Sequence, residues 1–330
     1  MFRIVTTAAL LVLAGPALAQ DDWQHAQSGI TIPGAIGGMR RSEPRDLSGG
    51  AGYDVMIQFG TDQEPATLYI YRSAYPNPAL WFERTRLAMN TNVGSGGAEA
   101  VPRSFTLRSG TAPNGMREEI ELPAGGPFRT TAVALAQLDE WIVKVRVTSS
   151  GLDRAGISAR MDTLLDALRL PAARAAPHPL QLPALCTDDV SLSGVPASGD
   201  RDAVLAGAMA TGMTEFAEAR GFGGLAAEPD AWCRETTGLP SRLGSAYRRR
   251  DGSAWVALVG DSGMAVSGRG LAPAGQGAAT FASTARSTRV AEVYDDLPDL
   301  MTALNAAAPV LIGRSPGLVE ISVGDTQPRE

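Results

Sequence analysis

Apolar and polar residues alternate along several short segments of the chain, most regularly in the segment 140–148. Its odd-numbered residues from 141 to 147 are a tryptophan and valines, whereas its even-numbered residues include Lys144 and Arg146. A period of two is typical of a β-strand that buries one face. The pattern therefore predicts a strand whose second face carries Lys144 and Arg146. This face is expected either to be exposed to solvent or to dock against a partner.

Apolar residues recur at helical spacing on both sides of this strand. Asn77 can cap a helix that begins at Pro78, and a second apolar stripe runs from Ile157 to Leu168. This order of elements predicts an α+β fold, in which helices back an antiparallel sheet. The other segments of this half with the composition of strands are 53–59, 66–72, 104–109, 116–122 and 129–137.

A stretch rich in proline and alanine at 171–179 follows the second predicted helix and cannot easily continue it. We interpret this stretch as a linker between two domains. The first domain covers 20–170, and the second, smaller domain, also α+β, covers 180–323. A polar tail at 324–330 is predicted to be loose.

The second domain is predicted to contain a helix at 200–220 and another at 296–307. Asp295 or Asp296 is the expected cap of the later helix. A glycine-rich run at 268–277 is predicted to be a loop. The predicted strands are 246–250, 253–259, 264–267, 280–286, 288–294 and 317–323.

The first 19 residues have the pattern of a secretory signal peptide. Arg3 supplies a positive start, an apolar run follows at 8–15, and 17–19 form a small-x-small cleavage site. The apolar run is shorter than the ~20 residues that cross a bilayer as a helix. We therefore expect a mature chain without a transmembrane segment, located in the periplasm or secreted.

Cys186 and Cys233 are the two cysteines of the chain. Two cysteines in an exported protein most simply form one disulfide, which would lie inside the second domain. A redox pair usually has the spacing Cys-x-x-Cys, and a zinc site usually has histidines near its cysteines; this sequence has neither. The sequence therefore predicts a structural bridge.

The net charge of −6 makes nucleic acid a poor candidate partner, because nucleic-acid-binding proteins concentrate basic residues on one surface. Arg248 and Arg250 share one face of a predicted strand. Charge there either marks a wet edge strand that avoids pairing, or recognises an acidic partner or an anionic lipid. Lys144, Arg146, Arg248 and Arg250 are thus the candidate partner surface.

The tetrapeptide 260–263, Gly-Asp-Ser-Gly, matches the nucleophile motif of chymotrypsin-like serine proteases, with Ser262 as the nucleophile. That chemistry needs a histidine base. The chain has only His25 and His178, and neither has the sequence context of such proteases. A hairpin turn explains the tetrapeptide better, since glycine, aspartate and serine favour turns.

Four features occur in the same order in a known family. They are the opening Gly-Ile-Thr-Ile-Pro-Gly at 29–34, an early hairpin, a helix that carries Trp81 and Phe82, and the strand at 141–148 with the helix after it. With these features the segment 29–171 resembles the PsbP-like fold, shared by an accessory protein of the oxygen-evolving complex and by DcrB-like periplasmic proteins. The resemblance implies a non-catalytic module that binds or stabilises a partner, and it assigns no functional residue. We identify no family for the second domain.

These observations predict an exported, non-catalytic protein that binds or stabilises a protein or a component of the cell envelope. They indicate no catalytic residue, no metal and no cofactor, and the scarcity of histidine favours binding over acid–base chemistry. The alternative is a periplasmic hydrolase that uses a pair of carboxylates or Ser262.

Overall fold

The computed structural model describes residues 21–75, 77–93, 101–107, 113–172, 180–187, 192, 194–197, 201–218, 231–236, 239–240, 243–260, 263–271 and 277–322. The predicted signal peptide at 1–19, most of the predicted linker and the predicted tail lie outside the described residues. The fold is α+β, as the sequence predicts, and it contains two large sheets.

The first large sheet is antiparallel and is built from the first half of the chain. In chain order the elements of this half are β1 (Trp23–Gln24), β2 (Thr31–Ile32), β3 (Ala35–Ile36), β4 (Met39–Arg40), β5 (Arg45–Asp46), β6 (Asp54–Thr61), β7 (Glu64–Arg72), α1 (Pro78–Val93), β8 (Arg103–Phe105), β9 (Gly115–Glu121), β10 (Thr130–Leu138), β11 (Trp141–Ser149) and α2 (Arg154–Asp166). The strand order is β5-β6-β7-β11-β10-β9-β8, while β1 pairs with β2 and β3 with β4 in two small hairpins.

One face of the first sheet, here the α2 face, is marked by Val143 and Val145 of β11. Helix α2 packs against it through an apolar stripe that includes Ile157 and Met161, together with residues of the small hairpins. Asp153 caps this helix, because its side chain accepts a hydrogen bond from the Gly156 amide at 2.8 Å. The predicted helix and its apolar stripe are therefore confirmed.

The opposite face, here the α1 face, is marked by Ile142 and Lys144 of β11. Helix α1 lies on it and buries Trp81 completely, while the indole Nε1 donates to the Tyr75 carbonyl at 3.0 Å. Asn77 caps α1 as predicted, since its Oδ1 accepts a hydrogen bond from the Leu80 amide at 3.3 Å.

The second large sheet has its strands in chain order, from β12 to β19. Every pair is antiparallel except β12 with β13. The elements are β12 (Ala184–Leu185), α3 (Arg201–Glu218), β13 (Trp232–Arg234), β14 (Gly244–Arg249), β15 (Ala254–Val259), β16 (Met264–Gly270), β17 (Ala278–Ser283), β18 (Ser287–Tyr294), α4 (Leu300–Leu311) and β19 (Val319–Ser322).

The predicted disulfide between Cys186 and Cys233 is confirmed. It joins the residue after β12 to the middle of β13, two cysteines that are 47 positions apart in sequence and have their Cα atoms 4.9 Å apart. The bridge therefore closes a loop that contains α3, and it fixes an edge of the second sheet.

Two predictions for the second half are wrong in detail. Helix α4 begins at Leu300 rather than at 296, because Asp299 is the cap and its Oδ1 accepts hydrogen bonds from the amides of Met301 and Thr302, both at 2.9 Å. Strand β16 continues through Gly268 into the segment predicted to be a loop. A glycine is needed there, since a Cβ atom would lie 2.4 Å from the Trp255 ring.

Helix α1 lies between the two sheets, so that they share one apolar cluster. Leu80 and Phe82 of α1 belong to it, as do Tyr247 and Val256 of the second sheet. The Tyr247 hydroxyl donates to the Leu80 carbonyl at 3.2 Å. The domain boundary at 171–179 stays a prediction, but the two halves of the chain are packed together through α1.

Candidate binding cleft

A cleft of about 260 Å³ opens between α1 and the α1 face of the first sheet. Basic side chains line it from both elements: Arg84 comes from α1, and Lys144 and Arg146 come from β11. Its other lining residues are Tyr69, Thr85, Ala88, Met89, Thr91, Val133 and Gly260. Among the described residues that line the cleft, none is acidic.

Lys144 lies at the floor of the cleft and is only 1% exposed. It pairs across the sheet with Tyr69, and its ammonium nitrogen is 4.4 Å from the centre of the Tyr69 ring and 5.5 Å from that of Tyr71. Such contacts with ring faces stabilise a cation. The expectation that this face meets water is wrong at Lys144, because α1 covers that part of the face; docking of a partner there stays a prediction.

Arg84 joins the cleft to the second sheet. Its side chain is 2% exposed, and its Nε donates to the Gly260 carbonyl at 2.9 Å. Gly260 begins the turn between β15 and β16, and the same turn is held to the first sheet where the Ala74 amide donates to the Gly263 carbonyl at 2.9 Å. The wall of the cleft at this turn is therefore fixed from both sheets.

Arg146 lies on the same face of β11 as Lys144 but is exposed. It pairs across the sheet with Thr67 of β7 and with Val133 of β10. None of the described residues forms an ion pair with Arg146. Its guanidinium is therefore the basic group of the cleft that is available to a molecule arriving from solution.

A pair of buried carboxylates, Glu83 and Glu118, lies near the cleft but does not line it. Arg86 binds both, with nitrogen–oxygen distances of 3.3 Å to Glu83 and 3.0 Å to Glu118, and Arg234 of the second sheet binds Glu83 at 3.1 Å. Burial raises the pKa of Glu118 to about 6, against the lowering effect of Arg86. These contacts give the carboxylates a structural role, which is to hold α1 between the sheets.

The structure does not bring the four residues of the predicted partner surface together. Lys144 and Arg146 line the cleft, whereas Arg248 is buried on β14 and pairs with Glu235 at 2.7 Å. The interpretation of that strand as a wet edge is wrong, because β14 lies between β13 and β15. Arg250 is exposed in the turn after β14, and a role in partner binding stays a prediction.

Ser262 and Asp261 lie outside the described residues, and so does His178. The strands that flank Asp261 and Ser262 form the predicted hairpin, with Val259 paired to Met264. Gly263 has φ +78°, and a Cβ atom there would lie 3.2 Å from the Arg72 carbonyl, so glycine suits the point where the turn meets β7.

His25 has a structural role that sequence reasoning missed. Its ring is buried against Trp141, with centroids 4.9 Å apart. Its Nε2 lies 2.8 Å from the Gly52 carbonyl, which can only accept, so Nε2 carries the proton and Nδ1 accepts from the Ser28 hydroxyl at 2.7 Å. Burial lowers the pKa of His25. The histidine is therefore neutral and anchors the start of the described chain to the first sheet.

Two other properties bear on the site. Among the described residues, no group of histidine, cysteine, aspartate or glutamate side chains is arranged to hold a metal ion. Within the same part of the chain, no helix combines the length and the apolar character needed to cross a bilayer.

Comparisons with known proteins find only a coarse similarity of fold. No protein-family model and no curated protein sequence matches the chain. The solution structure of cyanobacterial PsbP (CyanoP) from Synechocystis sp. PCC 6803 is 12% identical, with a TM-score of 0.33, over 49% of this chain and 98% of its own. A mutant of the protein Mog1 is also 12% identical, with a TM-score of 0.29, over 45% of this chain and 94% of its own. The PsbP-like resemblance is thus a weak one of fold, over about half of the chain.

Proposed function

We propose that this chain is a non-catalytic binding protein of the cell envelope, exported to the periplasm or secreted, whose partner docks at the cleft between α1 and the first sheet. One observation carries the proposal. Arg84, Lys144 and Arg146 converge from a helix and a strand on one concave site, and they do so in the part of the molecule where both sheets meet.

The construction of the cleft supports binding by a preformed site. Its floor is a central strand, β11, which is paired on both sides along its length. Its wall is α1, which Trp81 and the Tyr247 hydroxyl hold in place. The buried side chains of Arg84 and Lys144 on these elements lose little conformational freedom when a partner arrives, and a smaller loss favours affinity.

The disulfide supports the proposed location. Bridges between cysteines persist in oxidising compartments and are rare in the reducing cytosol. Export by the signal peptide at 1–19 would deliver Cys186 and Cys233 to such a compartment. The location and the export remain part of the proposal.

Photo-crosslinking at two matched threonines tests the docking site. Thr91 of α1 lines the cleft and its hydroxyl donates to the Leu87 carbonyl at 2.8 Å; Thr163 of α2 donates in the same way to the Ala159 carbonyl at 2.9 Å. Both are exposed helical positions, on opposite faces of the first sheet. Each is replaced in turn by benzoylphenylalanine in the full chain, which is then irradiated in the cells that export it.

The proposal predicts a stoichiometric adduct of one size from the Thr91 position and none from the Thr163 position. Equal adducts from both positions, or none from either, would overturn docking at the cleft. Mass spectrometry of the adduct identifies the partner. The hydrolase alternative gains no support from Glu83 and Glu118, because arginines bind both of these carboxylates away from the cleft.

A further inference from the structure

We propose that the cleft recognises a carboxylate group, presented by an acidic segment of a partner protein, and that Arg146 is the residue that binds it. The inference rests on the proposed function and adds the chemistry of the ligand. Two observations support it: Arg146 is exposed at the cleft, and the charged residues that line the cleft with it are basic.

The described charges that line the cleft are positive. Three basic groups and no described acidic group line the cleft. Protein atoms of α1 and of the first sheet take the place of water around much of the site. Charges interact more strongly where protein replaces water around them. The site therefore attracts an anionic group and rejects a cationic one.

The three basic residues of the cleft have different roles. Arg84 is turned to the Gly260 carbonyl, Lys144 lies against two tyrosine rings, and both make further interactions within the molecule. Arg146 is exposed and has no ion-pair partner among the described residues. Arg84 and Lys144 thus keep the electrostatic potential in the cleft positive, and Arg146 makes the contact with the ligand.

The Arg146 guanidinium and the size of the cleft suit a single carboxylate. A single guanidinium carries one positive charge, and its planar fork matches the two oxygens of a carboxylate. The cleft, at about 260 Å³, has room for one side chain and its stem, and the half-buried Ala88 offers an apolar contact to that stem.

The net charge of the chain favours a protein over a membrane as the source of the anion. The chain carries a net charge of −6. An extended anionic lipid surface would be repelled by this net negative charge, whereas a single inserted side chain meets only the positive cleft. A carboxylate on an exposed peptide segment therefore suits the site better than a lipid headgroup.

Fluorescence anisotropy with a labelled hexaglutamate peptide tests the proposal, and hexaglutamine is the uncharged control peptide. The variants are Arg146→Gln, Arg146→Lys and Arg314→Gln. Arg314 lies in the loop after α4, is exposed and does not line the cleft, so its change removes the same charge outside the proposed site. Inorganic phosphate and phosphatidylglycerol vesicles serve as competitors.

We expect hexaglutamate to bind and hexaglutamine not to bind. Arg146→Gln should weaken hexaglutamate binding by about tenfold or more, because a charge-assisted bidentate contact is lost. Arg146→Lys should weaken binding less, and Arg314→Gln should leave it unchanged. Neither phosphate nor the vesicles should displace the peptide at equal concentration of anionic groups.

Equal binding by wild type and Arg146→Gln would overturn the proposal, and so would displacement by phosphate or by the vesicles. These failures differ from failure of the proposed function. If a partner is crosslinked at Thr91 and its binding is unchanged by Arg146→Gln, only the proposed ligand chemistry is overturned. If no adduct forms at Thr91, the docking site itself is overturned.

Discussion

The two faces of the first sheet are both covered, but different kinds of residue cover them. On the α2 face, apolar side chains of α2 and of the small hairpins pack on the valines of β11, and a buried ion pair, Arg117 with Glu119 at 2.8 Å, lies on β9, next to the edge strand β8. On the α1 face, Lys144 and Glu118 lie within the buried interface beside apolar residues. Both faces thus bury charge as well as apolar residues, and the α1 face also forms the cleft.

This difference shows what alternation in a sequence means physically. A polar residue at every second position of a strand indicates that one face is not a simple apolar core. It does not indicate that this face meets water. Lys144 is buried because helix α1, which is distant in sequence from β11, packs over it and the rings of Tyr69 and Tyr71 lie against its ammonium group.

Among the changes that distinguish the two faces, Trp81→Ala is expected to have the largest effect on stability. Trp81 is fully buried between the sheets, and removal of a buried tryptophan should lower the free energy of unfolding by about 3–5 kcal/mol. Met161→Ala on α2 is the matched change on the other face. Urea denaturation measures both losses, and amide hydrogen exchange locates them.

Exchange should accelerate in β10 and in β14 in the Trp81→Ala variant, because α1 packs on both sheets. In Met161→Ala it should accelerate in the first sheet and much less in β14. If Trp81→Ala left exchange in the second sheet unchanged, the shared apolar cluster would not couple the two sheets.

The next effect concerns the second sheet alone. Replacing Cys186 and Cys233 together by alanine opens a loop of 47 positions, and the free energy of unfolding should fall by about 2–4 kcal/mol. The physical reason is the greater freedom of the unfolded chain. Urea denaturation of the double variant measures the loss, with the chemically reduced wild type as a comparison. Unchanged stability would mean that the bridge does not constrain the fold.

A smaller effect is a pH dependence that arises on the α1 face. The pKa of Glu118 is raised by burial from 4.5 to about 6, so the folded protein holds this proton more tightly than the unfolded chain does. The contribution to the free energy of unfolding is fully present below pH 4.5 and is lost as the pH rises through 6, by about 1–2 kcal/mol. Urea denaturation from pH 4 to 8 should show this fall in wild type. The Glu118→Gln variant should lack it, and an identical slope in both proteins would contradict the assignment.

The smallest effect has the opposite sign and arises on the α2 face. Burial lowers the pKa of His25 below 6.5, so the folded protein binds this proton less tightly than the unfolded chain does. Its contribution to stability is present above pH 6.5 and is lost as the pH falls through the pKa of the folded state. Nuclear magnetic resonance titration of the His25 ring should give a midpoint below 6.5. A midpoint above that value would show that the ring is not buried as a neutral anchor.

Much of the fold could be predicted from the sequence because its signals are local. Asn77 and Pro78 mark the start of α1, and alternation marks β11. The disulfide followed from the presence of two cysteines in a chain expected to be exported. The cap of α4 was harder to place, because several aspartates precede that helix and only Asp299 has its carboxylate at the free amides.

The cleft could be predicted only in part. The sequence singled out Lys144 and Arg146 because they interrupt an apolar strand. It could not place Arg84 beside them, since that contact depends on how α1 crosses the sheet. It also grouped Arg248 with them, although Arg248 is bound to Glu235 inside the second sheet. Tertiary packing, which local patterns do not encode, decides which basic residues meet.

The most direct test of binding at the α1 face combines the crosslinker at Thr91 with the state of Arg146. Adduct yield in exporting cells is compared between chains that carry Arg146 and chains that carry Arg146→Gln, with the crosslinker at Thr163 as the reference for the α2 face. The account predicts a strong adduct at Thr91 that falls to the Thr163 background when Arg146 is replaced. An adduct at Thr91 that is no stronger than the one at Thr163, while Arg146 is intact, would contradict it.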